Sequence, residues 1–232
     1  DLDTYFEGYK GSFVLYDRNR DTYSIYNEKQ SRQRISPAST FKICSALFAL
    51  DADVIQPGDT DARWDGTAYP FESWEQDQDL ASAMTNSVNW YFQDLDRKTG
   101  MSRLAADYRK VSYGNANISG GVSGYWMDST LKISPLEQTV FLKDFYNNSW
   151  GFDQEDIDTV KGAMLLADSD SCRLYGKTGT SGNANRETSG WFVGFIEQPQ
   201  NTWCFAVNIQ NEDNAGGSRA AAIGLEILED MG

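Results

Sequence analysis

Ser36-Pro37-Ala38-Ser39-Thr40-Phe41-Lys42-Ile43-Cys44-Ser45-Ala46-Leu47 sets Ser39 and Lys42 three residues apart in a segment that is otherwise largely apolar. The segment reads as the start of a buried helix. Ser36 is a capping residue, Pro37 suits the first helical position, and Phe41, Ile43, Ala46, Leu47 and Leu50 supply apolar surface nearly all round. On a helix, that spacing brings the serine and lysine onto one face within hydrogen-bonding reach. A lysine in apolar surroundings is costly to keep charged, so its pKa falls and it can accept the serine's proton. The expectation is a serine nucleophile activated by a lysine.

Composition narrows the alternatives. The chain has no histidine, which removes Ser-His-Asp and Cys-His mechanisms and histidine-based metal sites. Cys44, Cys172 and Cys204 show neither a C-x-x-C pair nor metal-ligand spacing, so no metal is expected. Cys172 and Cys204 read as members of strands separated by a third strand, which argues against a disulfide. With 34 acidic against 20 basic residues the net charge is −14, which disfavours nucleic acid and anionic membrane surfaces and favours solubility. No signal peptide or membrane-length apolar run is legible, and a chain opening on Asp1-Leu2-Asp3 is consistent with a mature or excised domain.

Outward from the opening stretch, Gly11–Tyr16 and Thr22–Tyr26 are rich in β-branched and aromatic residues, with turn chemistry between them, and predict a hairpin. Leu80–Leu95 is helix-like and closes on Arg97, Lys98 and Gly100; Met101–Val111 follows as a short helix. Tyr113–Gly124 is a glycine-rich loop. Ser134-Pro135-Leu136-Glu137 carries a cap, a proline and a capping-box glutamate, and starts a helix towards Tyr146. Asp156–Ala167 is a further helix. Strands return at Cys172–Lys177, Gly190–Glu197 and Thr202–Ile209, and Arg219–Glu229 closes as a helix. This order predicts a mixed α/β fold of the α+β type, a single domain over 1–232. An antiparallel sheet from both chain ends (about 1–35 and 168–232) would flank a helical region (about 36–167).

Short motifs need internal controls. Ser-x-x-Lys occurs at Ser39/Lys42 and at Ser129/Lys132, and Lys-Thr-Gly at Lys98-Thr99-Gly100 and Lys177-Thr178-Gly179. Lys98-Thr99-Gly100 has a helix-capping explanation, and Ser129/Lys132 lacks an enclosing apolar run. Lys177-Thr178-Gly179-Thr180 instead ends a predicted strand, where a lysine can project into a cleft beside backbone N–H groups. Ser87-Val88-Asn89 adds a second hydroxyl able to shuttle protons and an amide able to meet substrate or Lys42.

In this order, Ser39-x-x-Lys42, Ser87-x-Asn89 and Lys177-Thr178-Gly179 resemble the penicillin-recognising serine acyltransferase superfamily of penicillin-binding proteins and serine β-lactamases. Trp64-Asp65-Gly66, Tyr113-Gly114-Asn115, Tyr125-Trp126 before Leu131-Lys132-Ile133-Ser134, and Gly190-Trp191-Phe192-Val193-Gly194 look like its class D branch. The resemblance implies β-lactam antibiotics as partners and Ser39 as the group that attacks them. Lys42 would be the base, in class D often N-carboxylated by carbon dioxide, with no other cofactor. Backbone N–H groups of Ser39 and Thr180 would form the oxyanion hole, and Ser87 would relay the proton. Lys177, Thr178 and Thr180, with Gly179 between them and Arg219 beyond, would hold the drug's carboxylate, and Trp126 would bond the lysine carbamate.

One departure bears on function. Hydrolytic class D enzymes usually carry an apolar residue where this chain has Asn89. Ser-Val-Asn-Trp-Tyr-Phe, with Tyr125-Trp126-Met127-Asp128, is similar to the ectodomains of BlaR/MecR-type β-lactam receptors, where a long-lived adduct suits a sensor. The resemblance thus implies an extracytoplasmic sensor domain, acylated quickly and deacylated slowly, whose further partner is the membrane part of a receptor. The alternatives are a secreted or surface class D β-lactamase with sustained turnover and, less favoured, a peptidoglycan transpeptidase or carboxypeptidase.

Overall fold

A computed structural model describes residues 2–183 and 185–231. The expected hairpin is present: β1 (Lys10–Asp17) pairs antiparallel with β2 (Thr22–Tyr26), Phe13 opposite Tyr26 and Asp17 opposite Thr22. A single helical turn, α1 (Glu28–Ser31), follows, and an extended segment leads to a 3₁₀ turn, Ala38–Phe41, which runs directly into α2 (Lys42–Asp51). Then come α3 (Leu80–Thr85), α4 (Asn89–Thr99), α5 (Met101–Lys110), α6 (Pro135–Tyr146) and α7 (Gln154–Ala163). The chain closes with β3 (Leu165–Asp168), β4 (Arg173–Asn183), β5 (Arg186–Gln198), β6 (Asn201–Gln210) and α8 (Gly217–Asp230).

The six strands form one antiparallel sheet in the order β2-β1-β6-β5-β4-β3. Side chains alternate along each strand, so the sheet builds two cores at once. On β6, Cys204 and Ala206 face the helical region, while Phe205, Val207 and Ile209 face α8. On β5, Trp191, Val193 and Phe195 join the first core and Phe192 the second. Every residue of α2 from Lys42 to Leu50 is buried, as the apolar surround of the opening stretch requires. Cys204 lies on β6 with β5 between it and β4, and the three cysteines are free.

Four local expectations are corrected. Ser36 does not cap the helix; its hydroxyl donates to the Trp126 carbonyl and accepts from Asp128 N–H, so it ties two distant loops instead. The segment Leu80–Leu95 is not one helix, because Asn86-Ser87-Val88 break it, with Ser87 at φ 53° in the left-handed region. Lys177-Thr178-Gly179 lies inside β4 rather than at its end, since pairing with β5 continues to Asn183 opposite Arg186. The helix expected to reach Ala167 stops at Ala163, and Leu165–Asp168 adds an exposed edge strand, pairing Leu165 with Tyr175 across a register shift.

The capping box of α6 is formed as read: Glu137 N–H donates to Ser134 Oγ, and Ser134 N–H donates to the Glu137 carboxylate. Ser134→Ala removes the first of these bonds from a buried position. It should lower stability in chemical denaturation by about 1 kcal/mol without altering the chemistry of Ser39; an unchanged midpoint would show that the cap adds nothing here.

Candidate active site

Ser39 sits in the 3₁₀ turn and Lys42 begins α2, so the three-residue spacing closes as expected: Lys42 Nζ lies 2.8 Å from Ser39 Oγ. The residue before the serine, Ala38, is held at φ 46°. Such a conformation costs an alanine about 1–2 kcal/mol, and its place beside the nucleophile fits strain kept where the backbone must be aimed. Lys42 has no solvent exposure and lies among the rings of Trp126, Phe41 and Phe92, whose centroids are 5.2, 5.3 and 5.6 Å from Nζ. Burial pushes its pKa well below the lysine range. Repulsion from Lys177 adds to this, and Asp96 opposes it.

The break between α3 and α4 delivers the next groups. Two indoles bracket it: Trp74 Nε1 donates to the Asn86 carbonyl at 3.0 Å, and Trp90 Nε1 donates to the Trp74 carbonyl at 2.9 Å. Between them Ser87 turns through its left-handed conformation and Asn89 starts α4. Lys42 Nζ donates to Asn89 Oδ1 at 2.6 Å. A neutral amine suits this arrangement: one N–H goes to Asn89, and at 2.8 Å the lone pair can take the Ser39 hydroxyl proton. Lys177 Nζ donates to Ser87 Oγ and to the Thr178 carbonyl, each at 3.1 Å, and burial lowers its pKa to about 8.

Strand β4 passes against the serine turn. A Cβ on Gly179 would stand 3.0 Å from the Pro37 carbonyl oxygen and 3.2 Å from Ser39 N, so glycine is what lets this backbone lie beside the Ser39 amide. The pairing is fixed from both sides: Trp191 Nε1 on β5 donates to the Ser36 carbonyl at 2.8 Å, and Gly217 N–H at the start of α8 donates to Thr180 Oγ1 at 2.9 Å. Thr178, half-buried, abuts Gly217. The backbone of Gly179 and Thr180 is thereby set beside Ser39, where amides can stabilise an oxyanion.

Trp126 stacks on Phe41 with centroids 4.4 Å apart, and its Nε1 is buried without a hydrogen-bond partner among the described residues. An orphaned donor in an aromatic box around a buried lysine fits a carboxylate carried on that lysine. Arg219 lies two residues beyond Gly217, the glycine that abuts Thr178 and Gly179. It is exposed on the first turn of α8, and its guanidinium lies over Tyr9, 5.6 Å from the ring centroid. Among the described residues no group of His, Cys, Asp or Glu is arranged to hold a metal ion.

One cluster escaped the sequence reading. Asp96, fully buried on α4, accepts from Ser45 Oγ at 2.6 Å and from the Tyr125 hydroxyl at 2.8 Å, and Tyr125 is joined to Tyr108 at 3.0 Å. Asp96 stands among Asp94, Arg97 and Lys98 in sequence and looks like one more surface charge. Its seven-residue offset from Asn89, two helical turns, was the available sign that it shares Asn89's face.

Residues 11–229 match the family model for the penicillin binding protein transpeptidase domain. The chain is 47% identical over 234 residues to regulatory protein BlaR1 of Bacillus licheniformis, covering all of this chain but 39% of that protein. It superposes on the C-terminal domain of the Bacillus licheniformis BlaR penicillin-receptor with a TM-score of 0.95, 47% identity and coverage of 100% and 95% of the two chains. It also superposes on the class D β-lactamase BAT-2 with a TM-score of 0.94, 39% identity and coverage of 100% and 95%.

Gly179→Ala tests the close approach of β4 to Ser39. The added methyl forces the two backbones apart by a few tenths of an ångström, and modification of Ser39 by a β-lactam should slow roughly ten- to a hundredfold while the protein stays folded. An unchanged rate would remove this strand from the oxyanion site.

Proposed function

Because the chain belongs to the penicillin-binding protein transpeptidase domain family, we propose that it is a β-lactam-binding sensor domain, acylated at Ser39 and slow to release the acyl group. The observation that carries this reading is the 2.6 Å hydrogen bond from Lys42 Nζ to Asn89 Oδ1. The neutral Lys42 takes the proton of Ser39, and Oγ attacks the β-lactam carbonyl. The Ser39 Oγ–carbon bond forms, the ring carbon–nitrogen bond breaks, and the proton reaches the departing nitrogen through Ser87. Backbone N–H groups of Ser39 and Thr180 hold the developing oxyanion. The Lys177 ammonium and the hydroxyls of Thr178 and Thr180 hold the drug's carboxylate.

Release of the acyl group needs a second base to activate water. A carboxylated Lys42 would supply it, and Trp126, whose buried Nε1 has no partner among the described residues, would hold that carboxylate. Asn89 works against it. Its Oδ1 presents lone pairs at Nζ, which suits an N–H and repels an anionic oxygen. After acylation Lys42 remains an amine or ammonium bonded to Asn89, water is not activated, and the ester persists.

A second reading, a hydrolytic class D β-lactamase, has one specific support: the unpartnered Trp126 Nε1, a donor suited to a stable carbamate. The chain spans about two-fifths of the BlaR1 relative, so attachment to the membrane part of a receptor, and a place outside the cytoplasm where β-lactams arrive, belong to the same proposal. No helix among the described residues is long and apolar enough to cross a membrane.

Mixing the protein with a chromogenic β-lactam should release about one equivalent of product and then stop; steady turnover would sink the sensor reading in favour of the hydrolase. Intact-mass spectrometry should show the adduct, and Ser39→Ala should abolish it. Asn89→Val should shorten the adduct's lifetime roughly tenfold, equivalent to about 1.4 kcal/mol. An unaltered lifetime would clear Asn89 of the role given to it.

A further inference from the structure

The buried carboxyl of Asp96 takes no part in the steps above, yet it joins three of the segments that carry them: α4, α2 and the loop of Trp126. Ser45, its partner at 2.6 Å, lies one helical turn beyond Lys42 on α2. Asp96 itself lies two turns beyond Asn89 on α4. Tyr125, its partner at 2.8 Å, precedes Trp126, whose ring centroid is 5.2 Å from Lys42 Nζ. The carboxyl is thus bonded into the helices that carry Lys42 and Asn89, and its charge raises the Lys42 pKa while the Lys42 charge lowers its own. We propose that Asp96 is a positioning residue that sets the state of Lys42: its carboxylate favours the ammonium bonded to Asn89 and disfavours a carbamate at the same nitrogen.

The charge argument is direct. Carboxylation begins when the neutral Nζ lone pair attacks the carbon of carbon dioxide. A nitrogen–carbon bond forms, one carbon–oxygen π pair moves onto oxygen, and an N–H proton leaves to solvent. The side chain passes from neutral to a net charge of −1, with a second carboxylate already buried nearby. Like charges in a water-poor interior repel strongly, whereas protonation of Lys42 gives an attractive pair.

The other groups facing Asp96 do not compete. From α2, Cys44 faces it; from α5, Tyr108; from the segment between α5 and α6, Tyr125. Burial holds all three far above their ordinary pKa and therefore neutral. The cations next to it in sequence, Arg97 and Lys98, turn to Asp94 at the surface. Asp96's own pKa is raised by burial to about 7, with Ser45, Tyr125 and Lys42 pulling it back down, so its charge turns on across the neutral range.

The consequence for adduct lifetime rests on the sensor reading; the effect on Lys42 does not, and it can be measured without a β-lactam. With ε-labelled lysine in bicarbonate-free buffer, the Lys42 NMR signal is assigned by its loss in Lys42→Ala and then followed with pH. In the native protein it should show two inflections, its own and one near pH 7 from Asp96. Asp96→Asn keeps the shape and removes the charge. It should erase the inflection near pH 7 and lower the Lys42 midpoint by about one unit, a tenfold change. Tyr108→Phe loosens the same network without touching the charge and should leave the midpoint in place. A midpoint unmoved in Asp96→Asn, or moved equally in both variants, overturns the proposal and leaves Asp96 a structural tie. Should Asp96→Asn fail to fold, a native titration in which the Lys42 signal shows only its own inflection overturns it equally well.

Discussion

The structure depends on burying Lys42 completely while leaving it able to accept a proton. Isolated in a protein interior, an ammonium is unfavourable by several kcal/mol, and the fold does not supply a paired carboxylate in direct contact. It supplies instead three aromatic faces, the Asn89 carbonyl oxygen and the Ser39 hydroxyl. These satisfy a neutral amine, and the faces and oxygens soften the cost of the charged one for as long as the proton must be held. The same enclosure keeps Lys42 from relaxing to solvent, so its choice of state is set by the few groups that touch it.

The groups of the site come from four parts of the chain: the Ser39 turn with α2, the break before α4, the loop of Trp126, and β4. The helical region contributes Ser39, Lys42, Ser87 and Asn89; β4 contributes Lys177 and the Gly179–Thr180 backbone. The two halves are locked by bonds that cross between them: Trp191 to Ser36 and Lys177 to Ser87. At both hydroxyl-bearing turns the backbone is left-handed, at Ala38 and at Ser87. The surrounding packing therefore over-determines two strained conformations where chemistry is placed. Repulsion between Lys42 and Lys177 across the cleft lowers the Lys42 pKa further, so the group that would hold an anionic ligand also helps to keep the base unprotonated.

Much of this was legible from residues alone. The Ser39–Lys42 spacing in an apolar run, the capping box at Ser134–Glu137 and the β-branched and aromatic hairpin at Gly11–Tyr16 and Thr22–Tyr26 are local signals, and each formed as read. The misreadings have tertiary causes. Helical periodicity ran through Asn86-Ser87-Val88, but two indole hydrogen bonds and the pull of Lys177 on Ser87 hold that segment as a turn. Ser36 has the chemistry of a cap, but its hydroxyl is taken by Trp126 and Asp128. Leu165–Asp168 reads as the end of a helix because an exposed edge strand has no alternating burial to announce it. Asp96 was hidden for the opposite reason: a charge among charges in sequence is the most deeply buried carboxyl of α4 in space.

The central claim is that Asn89 keeps Lys42 free of carbon dioxide once Ser39 is acylated. ¹³C NMR of the acylated protein in ¹³C-bicarbonate buffer reads this directly. The account predicts no carbamate signal from Lys42 for as long as the adduct on Ser39 persists. A carbamate signal of full intensity in a protein that remains acylated would contradict it, because the base needed for release would then be present and idle.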